Sequence, residues 1–141
     1  MMRVFTTLIL SFCLFATTIQ ATSLPENNIA PEVATAIQAF AGQIDAGNLE
    51  SAFYSGSLRL QESFNQDLWI DQTRRTFNSL GNIINRKLVK SRTLTAFPML
   101  PDDSYLIVYH ELKMDLKAKA LEIALLRNED GQWKICAYSV R

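Results

Sequence analysis

The chain is poor in cysteine, histidine, proline and glycine, and it has no surplus of either charge. Its two cysteines, Cys13 and Cys136, sit near opposite ends, and His110 is its single histidine. One histidine and so few thiols exclude a Cys/His-rich zinc site within one chain. Fourteen basic residues balance fourteen acidic ones, and this excludes the one-sided basic excess by which nucleic-acid-binding proteins are recognised. It equally gives no reason to expect adhesion to an anionic membrane. No Gly-rich phosphate loop, nucleophile elbow or His-x-x-x-His metal pair is present, so no cofactor and no metal are expected. Four prolines among 48% apolar residues describe a chain able to bury a core, not a disordered one.

The longest apolar run, Val4–Ala16, falls short of the roughly 20 residues that span a bilayer. Met1-Met2-Arg3 precedes it and Thr17-Thr18-Ile19-Gln20-Ala21 follows. A cationic start, a short apolar stretch and a small terminal residue are the layout of a cleaved secretory signal. Cleavage is expected after Ala21, although Ile19 is bulkier than the small residue preferred there, and the protein is expected to be exported, either periplasmic or secreted. An uncleaved signal acting as an anchor is the alternative. Acylation at Cys13 is excluded because bulky Phe12, not a small residue, precedes it. After the leader come a short polar lead, residues 22–30, and one domain over 31–141. Cys136 is then the lone cysteine, which excludes an internal disulfide in a compartment that would permit one. It is expected to be a small buried hydrophobe on a strand, with a reactive thiol or intermolecular bridge as the alternative.

Helical periodicity dominates the first half. Pro31 and Glu32 suit a helix start, and Val33, Ile37, Phe40 and Ile44 recur on one face. Asp45-Ala46-Gly47 ends that helix. Asn48 can cap a short second one carrying Leu49, Ala52 and Phe53. Ser63 with Gln66 resembles a capping box before a third helix, with Trp69, Thr73, Thr76, Phe77 and Leu80 at helical spacing and Gly81 as its stop. Ile83–Phe97 is then rich in branched residues, and 97–104, with Pro98 and Pro101, reads as a loop.

The remainder reads as an antiparallel meander. Leu106, Val108, His110, Leu112, Met114 and Leu116 form one apolar face, opposite Tyr105, Ile107, Tyr109, Glu111, Lys113 and Asp115. A two-residue Lys117-Ala118 turn would pair Leu112 with Ile123, Met114 with Leu121, and Lys113 with Glu122. The turn at Glu129-Asp130-Gly131 is ambiguous. A two-residue Asp-Gly turn sets Cys136, Tyr138 and Val140 beside Leu121, Ile123 and Leu125. A three-residue loop sets Trp133, Ile135 and Ala137 there instead, and is favoured because it spares Arg127 from facing Lys134.

Helices followed by an antiparallel sheet make an α+β class, here helices on a curved four-stranded sheet. The ordering resembles the cone-shaped (cystatin-like) fold of the nuclear transport factor 2-like superfamily. Leu80-Gly81 with Arg86, Tyr105-Leu106-Ile107-Val108, Glu122, and Asp130-Gly131-Gln132-Trp133-Lys134-Ile135 through Tyr138 resemble a small exported bacterial family, domain of unknown function 4019. Asp45-Ala46-Gly47 and Trp69 fit it as well. Ala137 stands where that family commonly has glycine, and Phe40 and Phe53 where it has tryptophan. The resemblance implies a fold and a compartment, and no reaction.

Among candidate site residues, His110 could be a general base at the floor of a pocket, assisted by Tyr109, Glu111 or Glu122. No carboxylate is expected within reach on its face, which favours a structural histidine. Glu122 is expected to pair with Lys113, and Arg86, Lys87, Lys90 and Arg92 to form a solvated basic edge. Tyr109 and Tyr138 are read as packing aromatics. Phe40, Ile44, Phe53, Trp69 and Phe77 should oppose Leu112, Met114, Leu121 and Ile123 and leave a narrow apolar pocket beside His110. Its expected lining is Val108, His110, Leu112, Leu125 and Phe77, with Ala124 nearby. The function this supports is a non-catalytic module binding a small apolar ligand or a protein, with a small hydrolase or isomerase centred on His110 as the alternative. A homodimer through the outer sheet face is also expected, using Trp133, Ile135 or Tyr138.

Overall fold

The computed structural model describes residues 28–141, so the expected leader and residues 22–27 of the lead lie outside the described residues. Four helices, α1 (Pro31–Asp45), α2 (Leu49–Ser55), α3 (Leu58–Ser63) and α4 (Gln66–Leu80), precede four strands. These are β1 (Ile83–Leu94), β2 (Tyr105–Met114), β3 (Ala120–Glu129) and β4 (Gln132–Val140), an antiparallel sheet in the order β1-β2-β3-β4. The fold is α+β. Among the described residues no helix is long and apolar enough to cross a membrane.

Pro31 opens α1, and Val33, Ile37, Phe40, Ala41 and Ile44 are buried along it, the stripe that its spacing predicts. Asn48 stands at the start of α2 but its side chain makes no capping bond. The sequence reading missed α3, a six-residue helix too short to show a period. Ser57 caps it, its Oγ accepting from Arg59 N at 3.1 Å. Asn65, not Ser63, caps α4, accepting from Leu68 N at 3.1 Å. At Gly81 the chain takes φ 80°, and a Cβ there would lie 1.6 Å from Asp115 Oδ1; only glycine fits.

That contact explains the largest correction. Asp115 Oδ1 accepts from Asn82 N at 2.7 Å, Asp115 N donates to Asn82 O, and Leu116 N donates to Leu80 O. The end of β2 is thereby tied to the α4–β1 connection, and five residues, not two, separate β2 from β3. The register becomes His110 opposite Glu122 and Leu112 opposite Ala120. An odd displacement turns a strand over. Ala120, Glu122, Ala124 and Leu126 therefore share the helix side with Val108, His110 and Leu112, while Leu121, Ile123 and Leu125 lie on the other.

The β3–β4 turn is the two-residue one, with Asp130 at φ 51° and Gly131 at φ 86°, both left-handed as a type I′ hairpin requires. Arg127 does face Lys134. Its guanidinium is offset by Asp103 at 2.8 Å and Glu129 at 3.3 Å, so the repulsion that favoured the longer loop does not arise. Leu126 pairs with Ile135 but Leu125 with Ala137, leaving Cys136 as the extra residue of a bulge. Cys136 is fully buried.

On the helix side, Trp69 meets Phe53 at 5.4 Å and Phe40 at 5.9 Å between ring centroids, above Val108, Ala124, Leu126 and Ile135. The opposite side is also covered where the 95–104 loop lays Phe97 and Leu100 over Tyr105, Ile107, Leu125 and Cys136. The Tyr105 hydroxyl donates to Pro101 O at 2.5 Å and holds that loop down. Phe40 is buried, whereas Phe77 is half-buried. Phe40→Ala is expected to cost about 3–5 kcal/mol in urea unfolding and Phe77→Ala distinctly less. Equal losses would contradict this placement.

Candidate functional site

Each of the four strands sends one side chain to a single point. From β3, Glu122 is 0% exposed. Arg86 of β1 clamps it with two parallel bonds, Nε to Oε1 at 2.7 Å and Nη2 to Oε2 at 2.8 Å. Tyr138 of β4 donates its hydroxyl to Oε2 at 2.5 Å. His110 of β2 brings Nδ1 to 3.0 Å from Oε1. Nδ1 makes no hydrogen bond there; the approach is a close polar contact.

Burial alone would push the Glu122 carboxyl upward, but hydrogen bonds from Arg86 and Tyr138, the Arg86 charge and the close His110 imidazole outweigh it and hold the pKa at about 2. Charge-assisted, bidentate bonding of this kind stabilises the ionised form. Arg86 is pulled down by burial and carried above its ordinary value by Glu122. Tyr138 is pushed up by burial and by the adjacent carboxylate. Glu122 is thus a fixed anion with both oxygens occupied, a poor proton acceptor near neutral pH.

The expected assignments divide accordingly. Glu122 does not pair with Lys113, and it supplies the carboxylate near His110 that the sequence reading did not find. Tyr109 and Glu111 lie on the other side of β2, where Tyr109 sits under Lys90 Nζ at 4.8 Å and Glu111 near Lys119 at 3.8 Å. The basic cluster is split as well. Arg86 points to the helix side, while Lys87, Lys90 and Arg92 face away on the edge strand β1. Trp133, Ile135 and Tyr138, expected on the outer sheet face, pack toward the helices. Val108, His110 and Leu112 are core residues at 0%, 5% and 0% exposure, and the space expected beside His110 holds Glu122.

Free space lies elsewhere. A cleft of about 300 Å³ separates α4 from the β3–β4 pair. Phe77 and Leu125, expected to line a pocket beside His110, line this different cleft with Trp69, Phe64, Phe97 and Ile123. Gln72, Thr73 and Thr76 face it from α4, and Tyr138 forms part of its wall. Sequence spacing already set Thr73 and Thr76 between Trp69 and Phe77; polar residues inside a core-type stripe were the available signal. A second, polar recess of about 330 Å³ lies between α1 and β1, bordered by Asp45 and Arg86. Burial raises the Asp45 carboxyl against the opposing pull of Arg86.

A family model described as a protein of unknown function, DUF4019, matches residues 36–138. The chain belongs to the DUF4019 family. The match runs from α1 into β4 and so spans Arg86, His110, Glu122, Tyr138 and most of the cleft. No curated protein matches this DUF4019 chain.

The network of this DUF4019 protein makes two measurable predictions. Glu122→Gln leaves the Arg86 charge without its counter-ion and is expected to cost about 3–5 kcal/mol, part of which Arg86→Met in the same chain should restore. Because the folded pKa of about 2 lies below the unfolded 4.5, the Glu122 contribution is complete above about pH 4.5. It is lost as pH falls from there toward 2, and it amounts to about 3 kcal/mol. Urea titrations across pH 2–6 should show this loss in the wild type and a flatter acid limb in Glu122→Gln.

Proposed function

We propose that this chain is an exported, non-catalytic binding module that holds a small apolar molecule in the cleft between α4 and the β3–β4 pair. The observation that carries the reading is a cleft of about 300 Å³ with aromatic and aliphatic walls, a form characteristic of small-molecule sites. Export is supported by the Met1–Ala21 layout, a cationic start, a short apolar stretch and a small terminal residue. Helices followed by a meander sheet support assignment to the cone-shaped nuclear transport factor 2-like superfamily.

The geometry weighs against a hydrolase or isomerase centred on His110. Glu122 stands where an orienting carboxylate would, but it is saturated by Arg86 and Tyr138, and His110 is 5% exposed. A substrate would have to enter the core to reach it.

Native mass spectrometry and thermal-shift surveys against lipids and periplasmic extracts test the reading. The wild type should retain a small ligand and gain stability from it. Thr73→Trp, which fills the cleft from α4, should lose both. Failure of every ligand to shift the protein, together with a turnover activity abolished in a folded His110→Ala variant, would replace the binding module by the enzyme.

A further inference from the structure

We infer that the cleft selects an uncharged ligand of two to three aromatic rings, oriented with its one polar group toward Thr73 and Thr76 of α4. This rests on the binding reading above and adds the ligand's charge, size and orientation. Size follows from volume. A cavity of about 150 Å³ lined by apolar side chains takes one benzene, and this cleft has about 300 Å³.

Charge follows from the walls. Among the described residues none that lines the cleft carries a formal charge; the polar members are Gln72, Thr73, Thr76, Tyr138 and Ser139. A charged ligand would give up water and find no counter-ion, which is costly. The buried charge of Glu122 lies behind Tyr138 and is already neutralised by Arg86. Tyr138 cannot serve an anion either, because its hydroxyl donates to Glu122 and presents only the ring to the cleft.

Orientation follows from asymmetry. Trp69, Gln72, Thr73, Thr76 and Phe77 recur along α4 at the spacing of a core-facing stripe, yet the middle of that stripe is polar. Across the cleft the sheet offers Ile123 and Leu125 of β3 and Ala137 of β4, with one hydroxyl, that of the exposed Ser139, against the three polar side chains Gln72, Thr73 and Thr76 on α4. A flat ligand would lay one face on these strands and turn a hydrogen-bonding edge to α4.

The test compares two fluorescent probes of one skeleton, neutral N-phenyl-1-naphthylamine and its 8-sulfonate, titrated into the full chain as purified after export. The neutral probe is expected to saturate at micromolar concentration and the sulfonate to bind at least about tenfold more weakly, a difference of about 1.4 kcal/mol. Thr73→Trp should abolish neutral-probe binding. Ser139→Trp fills the same cleft from the sheet side and provides a second blocked variant if Thr73→Trp does not fold, as judged by circular dichroism. Thr76→Val, which keeps shape and removes the hydroxyl, should weaken the neutral probe about three- to tenfold. If the two probes bind equally, or the sulfonate more tightly, and the filled variants block both, charge selection is overturned while the binding module stands. Absence of binding by either probe, or binding untouched by both filled variants, overturns the cleft as a ligand site altogether. An unchanged affinity in Thr76→Val overturns the orientation.

Discussion

A carboxylate buried at 0% exposure is the constraint on which this structure turns. An ion so placed costs several kcal/mol of lost hydration unless its partners are in place. Here they come from every strand: Arg86, His110 and Tyr138 converge on Glu122 from β1, β2 and β4. A one-residue slip in any pairing would carry one member to the opposite side of the sheet. Buried ion pairs contribute little net stability compared with apolar packing, but they discriminate strongly between registers. The network therefore disfavours any register slipped by one residue, which would leave a charge or hydroxyl unpaired, and the helices pack on the surface that the observed alignment presents.

The same saturation decides what the site does chemically. A carboxylate held at about 2 by two parallel Arg86 bonds and a Tyr138 hydroxyl neither takes up nor releases a proton near neutrality. Its influence on the cleft is exerted through Tyr138, which it turns inward. The cleft wall then shows an aromatic ring where a free phenol would otherwise stand, and the cavity remains without charge.

How much of this was legible in the sequence depended on the range of the interaction. The α1 stripe and the Leu106–Met114 alternation could be read because each is set by local period. The side of β3 could not, for two reasons. Turn length depends on Asp115 reaching Asn82, a contact 33 residues distant. In addition, Leu121, Ile123 and Leu125 are more apolar than Ala120, Glu122 and Ala124, so hydrophobicity alone assigns the wrong face. It misleads because the 95–104 loop and the cleft shelter the second side of the sheet as well. Arg86 was hidden among Lys87, Lys90 and Arg92 because irregularities between Ile83 and Asn85 and between Leu88 and Lys90 redistribute the faces of β1. No periodicity reports a bulge.

The two sheet edges are protected by different means, and the difference locates the cleft. On β1 the outward Lys87, Lys90 and Arg92, with two irregularities in the strand, discourage pairing with another chain. Three of the four members of the basic cluster thus stand on the exposed edge where the sequence pattern set them. On β4 a helix supplies protection: Ser57 N, at the start of α3, donates to Ile135 O at 2.8 Å, while the Ser57 hydroxyl donates to Glu129. That cover stops at Ile135. The bulge at Cys136 then shifts the strand by one residue, so Ala137 to Val140 run past α3 and border α4 across a gap. Had β4 continued in its first register, Leu125 would face Cys136 and not Ala137, and Tyr138 would lie on the opposite side, away from Glu122. A single extra residue therefore both delivers the hydroxyl that completes the buried network and leaves the last part of β4 facing the open cleft.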